Sequence, residues 1–317
     1  MVFILSLLVA ACGGDESGGS STVATEATTT TAFSSTPDPT VTTIAETTST
    51  SSTTTTTLPP TTTTIPGNWA DEPLIVSSFG ALGWWNGSGW SQVNQGTILP
   101  ISGGEDYRVA VLGLSASTTG GPQVTVCEPL DNPGVELANS AVLGDFPGPF
   151  GVAISAPWAL VPHLVEQVED DGTYAGFASN LLASRGLSVP NPVIKQLLRV
   201  DLEGDGVNEV IVVAEYIANS PGLFASVGDY SIAFMRKVVA GEVQTAILGE
   251  AVVTEVAPGE IPFILSYGVG AVADLNGDGK LEVVLSETYY EGAAVGVWEY
   301  IDDDLGPVNV LSVGCGA

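Results

Sequence analysis

The sequence predicts a mainly β domain over residues 69–317 with one helical insertion at about 162–186; an α+β arrangement is the alternative. Three observations predict it. Short runs rich in Val, Ile and Leu are punctuated by Gly, Pro, Asn and Asp clusters, the pattern of strands between turns. Only residues 162–185 space their apolar side chains at helical intervals. One short acidic loop occurs twice, and each copy runs into a Val-rich strand.

The chain opens with an apolar run, residues 1–11, too short to span a bilayer as a helix. It reads as a signal peptide, and the missing Lys or Arg before it points to a start upstream of Met1. Val9-Ala10-Ala11-Cys12 resembles the bacterial lipobox, which implies that Cys12 is lipidated and becomes the first residue of the mature protein. Residues 12–68 are dominated by Ser, Thr, Ala, Pro and Gly, including threonine runs at 53–57 and 61–64. Such a segment buries too little apolar surface to offset its ordering entropy, so it is expected to be a disordered stalk.

Within the domain, Leu74-Ile75-Val76, Tyr107 to Leu112 and Gln123 to Val126 read as strands. Trp84-Trp85-Asn86-Gly87-Ser88-Gly89-Trp90 reads as a hairpin whose tip lies at Asn86-Gly87 or Gly87-Ser88. Trp84, Trp85 and Trp90 either stack on a sugar or pack across strands, and packing is the commoner fate of such rings. With Cys12 assigned to lipid, Cys127 and Cys315 remain. In an exported domain they are expected to form a disulfide, the alternative being two buried thiols.

In the helical insertion, Leu164, Val165 and Val168 and then Phe177, Leu181 and Leu182 predict two helices split near Asp170-Asp171-Gly172, with Pro162 in a first turn and Gly186 as a stop. His163 is the only histidine. Neither a Gly-x-Ser-x-Gly elbow nor a Cys/His pairing accompanies it, so a structural role outweighs a catalytic one. Residues 229–243 predict a hairpin turning near Ala240-Gly241. Tyr289-Tyr290-Glu291-Gly292 ends a strand or faces a ligand.

The acidic loops are Asp201-Leu202-Glu203-Gly204-Asp205-Gly206-Val207-Asn208-Glu209 and Asp274-Leu275-Asn276-Gly277-Asp278-Gly279-Lys280-Leu281-Glu282. Oxygen-bearing side chains fall at positions 1, 3, 5 and 9. Position 7, Val207 or Lys280, would contribute its carbonyl. Calcium takes six to eight oxygens, and glycine at position 6 permits the turn that points them inward. The alternatives are a solvated turn and paired catalytic carboxylates. An EF-hand is excluded, because position 12 is Val212 or Leu285 inside an apolar run.

The spacing, repeated 73 residues apart (274 minus 201), resembles the calcium-binding hairpin loops of FG-GAP and VCBS repeats, the blades of integrin-α-type β-propellers. The resemblance covers about residues 193–317, as repeats at about 193–250 and 263–317, with a degenerate unit at 70–130. It implies β-propeller-like antiparallel blades and two Ca2+ sites. Their ligands are Asp201, Glu203, Asp205, Val207 and Glu209, and Asp274, Asn276, Asp278, Lys280 and Glu282.

Thirty-six Asp and Glu against 7 Lys and Arg give a formal net charge of −29, which argues against nucleic acid and against docking on anionic lipid. Membrane association then rests on the Cys12 lipid. The expected function is non-catalytic: a calcium-stabilised module, lipid-anchored on a stalk outside the cell, that recognises a protein or glycan. A glycosidase-like surface hydrolase using an Asp/Glu pair and a structural cell-wall lipoprotein are the alternatives.

Overall fold

The structure, a computed structural model, describes residues 67–145, 148–170, 172–218, 224–301 and 306–316. The expected signal peptide, Cys12 and nearly all of the stalk lie outside the described residues. The protein is mainly β, with three antiparallel sheets, one α-helix and one 3-10 turn among the described residues.

The sheets follow one another along the chain. First come β1 (Leu74–Ser77), β2 (Gly80–Trp85), β3 (Trp90–Gln92), β4 (Asp106–Val111), β5 (Leu114–Val126), β6 (Asn132–Leu137) and β7 (Val152–Ile154). They form a seven-stranded sheet in the order β3-β2-β1-β7-β4-β5-β6. Next are β8 (Val165–Gln167), helix α1 (Thr173–Ser184), β9 (Ile194–Val200), β10 (Glu209–Tyr216), β11 (Tyr230–Val239) and β12 (Glu242–Val252). Their strands make the second sheet, β12-β11-β10-β9-β8. Last are β13 (Ser266–Ala273), β14 (Glu282–Tyr289), β15 (Gly292–Tyr300) and β16 (Pro307–Gly316), a four-stranded meander.

Strand alternation explains the layering. On β14, Val284 joins a core with Ile75, Leu82, Val152 and Ile154 of the first sheet. Its neighbours Val283 and Leu285 join Leu198, Val200, Ile211 and Val213 of the second. A strand apolar on both faces belongs in a middle layer, so the third sheet is sandwiched between the other two. The second sheet's outer face carries Val210, Val212, Ile232 and Phe234, which Ala178 and Leu182 of α1 cover. Where the first and third sheets touch, Leu112 N–H donates to the Gly270 carbonyl at 2.8 Å. A Cβ at Gly270 would lie 1.9 Å from the Phe150 carbonyl, so only glycine permits that approach.

The insertion departs from expectation. Residues 165–167 are strand β8, pairing with Val200, Arg199 and Leu198 of β9, and not a first helix. The edge of β9 offered an unsatisfied row of N–H and C=O groups, and pairing outweighed the weak helical spacing of three residues. The helix that does form begins after Gly172, whose φ is +95°. Asp170 accepts from the Tyr174 and Ala175 N–H groups at 3.0 and 2.9 Å, satisfying two of the first-turn donors.

The Cys127 and Cys315 sulfurs stand 1.99 Å apart, linking the turn after β5 to β16. The hairpin at Ala240-Gly241 turns where expected, with φ of 52° and 85°. Among the described residues no helix is long and apolar enough to cross a membrane.

Candidate metal centres

Each acidic loop fills the same place in its sheet. The first joins β9 to β10 and the second joins β13 to β14, the opening hairpin of a four-stranded antiparallel run in both cases. Gly206 and Gly279 both adopt φ of +88°, the left-handed conformation the turn requires. The two loops are joined directly, since Leu281 N–H donates to the Leu202 carbonyl at 2.8 Å.

The first-position aspartates organise the turns. Asp201 Oδ1 accepts from Gly204 and Asp205 N–H at 2.7 and 3.0 Å, and Oδ2 from Gly206 at 2.8 Å. Asp274 repeats this with Gly277 at 2.6 Å and Gly279 at 3.1 Å. The ninth-position acids reach back in the same way. Glu209 accepts from Leu202 N–H at 2.9 Å, and Glu282 from Leu275 N–H at 2.7 Å. At position 5, Asp205 and Asp278 accept from Val207 and Lys280 N–H. Asn276 Oδ1 accepts from Asp278 N–H at 3.0 Å. Among the described residues no three Asp, Glu, His or Cys side chains converge as a ready-made metal group. Seven of the eight predicted side-chain ligands bridge within their loops, Glu203 being the exception, and the Val207 and Lys280 positions are placed by their N–H groups.

The electrostatics show what these oxygens lack. Glu209 is fully buried, and its Oε1 has no hydrogen-bond partner. Burial pushes its carboxyl up to about 7, against the opposing pull of Leu202 N–H and the Lys237 charge. Asp274 is raised by burial to about 6. Glu282, 1% exposed, is pushed well above the ordinary carboxylate range by burial, and Asp274, Asp278 and Glu299 add to it. A buried carboxylate without a partner is costly, and a cluster of them is costlier. The donor set, hard oxygens with one orphaned, fits a calcium-type cation.

Glu203 is arranged differently: its carboxylate is paired with the Lys237 ammonium. That ammonium also lies 3.9 Å from the centre of the Tyr300 ring. The second loop meets an acid instead, with Glu299 Oε1 3.4 Å from Asn276 Nδ2. Local spacing could not reveal Lys237 or Glu299, since both arrive from neighbouring strands.

The segment before β8 braces both loops. Trp158 Nε1–H donates to the Asp274 carbonyl at 2.9 Å, and Asp274 N–H donates to the Leu160 carbonyl at 2.7 Å. His163 Nε2–H donates to the Gly279 carbonyl at 3.0 Å. The same ring lies so close to Gly204 that a Cβ there would come within 2.9 Å of Nε2. The lone histidine thus sits between the two loops.

The hairpin tryptophans are packed. Trp84 lies against the core of the first sheet, and Trp90 against the core shared with the third. Trp85 and Trp90 meet edge to face with centroids 5.2 Å apart. Trp90 Nε1–H donates to Glu299 Oε2 at 2.9 Å. Trp90→Phe should therefore cost about 1–2 kcal/mol in urea denaturation, the worth of a hydrogen bond to a carboxylate. An unchanged midpoint would count against that role.

Comparisons with protein-family models, with curated proteins and with solved structures find no match.

Proposed function

We propose that the chain is a calcium-stabilised, envelope-tethered module that binds a protein or glycan partner outside the cell. Calcium and the Cys12 lipid have separate tasks in this reading: the ion rigidifies two hairpins, and the lipid retains the domain at the membrane. The strongly acidic chain favours cation capture and solubility.

The observation that carries the binding role is an exposed aromatic cluster. Phe263, Tyr289 and Tyr290 pack with ring centroids 5.9–6.4 Å apart, while Phe263 stays 60% and Tyr290 43% exposed. Ala225 N–H donates to the Pro262 carbonyl at 2.9 Å, which brings the segment of exposed Phe224 alongside. Exposed aromatic rings supply rigid contact area for a sugar face or an apolar peptide. Tyr289 ends β14 and Tyr290 follows it, and the strand's other end carries the second acidic loop.

The test is capture by the calcium-loaded protein on a glycan array and from an envelope-protein extract. The Phe263→Ala/Tyr290→Ala variant should lose about tenfold or more in affinity for what is retained, with its melting temperature unchanged. Retention of nothing by the wild type, or equal retention by the variant, would sink the reading.

A further inference from the structure

The two loops differ most at a position outside both of them. Val210 of β10 pairs with Arg236 of β11, so one step further along the ladder Glu209 faces Lys237. Val283 of β14 pairs with Trp298 of β15, so Glu282 correspondingly faces Glu299. The ninth-position acid of each loop thus looks across to the equivalent site on the next strand. The first sheet with a loop places a cation there, and the other places an anion.

We infer that this cross-strand position sets the order of cation binding: the second loop is the tight site, and Lys237 makes the first a weaker site, where a cation competes with an internal ammonium. The inference rests on the calcium reading of the loops. Lys237 is 8% exposed and paired with Glu203, so the third-position oxygen is already engaged by a positive charge. A divalent ion entering the first loop either foregoes Glu203 or draws that carboxylate away from the buried ammonium. It is also repelled by that ammonium from close range. What remains for the ion is Asp201, Asp205 and the orphaned Oε1 of Glu209.

In the second loop the third position is Asn276, which carries no charge, and the deficit is made up from β15. Glu299 lies against Asn276 and is oriented by Trp90 Nε1–H. Calcium affinity follows the number of ionised ligands and the rigidity of the site, and the second loop leads on both. Its residues are more buried, with Trp158 carbon atoms 3.3 Å from where a Cβ of Gly277 would lie.

Calcium titration of the full chain by calorimetry reads this directly. The wild type should show two classes of site separated by about tenfold or more. Glu299→Gln, which can still accept from Trp90, should weaken only the tight class, by about tenfold. Lys237→Met should strengthen only the weak class, bringing it to within about tenfold of the other; Lys237→Gln serves where the methionine variant fails to fold. Two indistinguishable wild-type sites, or a weak class unmoved in the Lys237 variants, overturn the inference and leave the calcium reading standing. No calcium bound by the wild type or any variant overturns both. Crystals of the wild type soaked at rising calcium give an independent readout. The second loop should fill before the first. The reverse order overturns the inference.

Discussion

Calcium added to the EDTA-stripped protein raises its melting temperature by about 5–10 °C once the ion stands about 100-fold above the dissociation constant of the tighter site. The magnitude follows from linkage. A ligand bound only by the folded state stabilises it by about 2.7 kcal/mol at that excess. For a domain of this size each kcal/mol moves the midpoint by about 2–4 °C. The unfolded chain has no competing site, because the acids at the two ends of each loop are brought near one another only when the hairpin turns at Gly206 or Gly279.

The pH dependence gives the prediction a second arm with a definite sign. Glu209 and Asp274 are raised to about 7 and about 6, and Glu282 is raised well above the ordinary carboxylate range. A carboxyl whose folded value exceeds its unfolded one holds its proton more tightly in the folded state. Calcium-free protein therefore gains that stability below the ordinary carboxylate range and loses it as pH rises through about 6 to 7. Calcium takes the ionised oxygens, so its stabilising shift grows as pH rises through about 6 to 7 and fades as pH falls back through that window. Differential scanning fluorimetry at both ends of this window, with and without calcium, checks it. A midpoint unmoved by calcium at neutral pH, or a larger shift in acid, would sink the calcium reading.

What the chain disclosed in one dimension was whatever depends on near neighbours. The alternation of Val283, Val284 and Leu285 announces a strand, and the glycines and short oxygen-bearing side chains of each acidic loop announce a tight turn, because both are local patterns. The cysteine pair was legible by elimination. Residues 162–168 misled because three helically spaced side chains are weak evidence against an open strand edge that becomes visible only when β9 is placed. Lys237 and Glu299 were illegible for the same reason. They lie 28 and 17 residues beyond Glu209 and Glu282 (237 minus 209 and 299 minus 282), and only the β10–β11 and β14–β15 registers bring them across. Trp90 is more extreme, reaching an acid 209 residues away. A tip tryptophan for which packing is the favoured reading thus packs, and its Nε1–H reaches an acid beside the second loop.

Replacing Cys127 and Cys315 together by serine lowers the stability of the domain by about 2–4 kcal/mol, a loss of about 5–15 °C in melting temperature. The bond joins residues 188 apart in sequence, so its absence releases a long loop in the unfolded chain and raises the entropy gained on unfolding. The folded state suffers locally as well. Strand β16 is the outer edge of the third sheet and has a β-partner only in β15. Besides the disulfide, it is tied to the first sheet by polar clips. Gln92 exchanges two hydrogen bonds with Ser312, at 2.7 and 3.0 Å, and Asn132 Nδ2–H donates to the Gly314 carbonyl at 2.9 Å. Each such bond is worth about 1 kcal/mol, too little to replace a covalent tie. The weakened region is therefore predictable: amide exchange should accelerate first along β16 and its partner β15, while the hairpin of β9 and β10 keeps its protection. Reducing the wild type should reproduce the double variant's urea midpoint. Equal midpoints for oxidised wild type and the variant would show that the clips and the core shared by Val297 and Leu311 already hold the terminal strand.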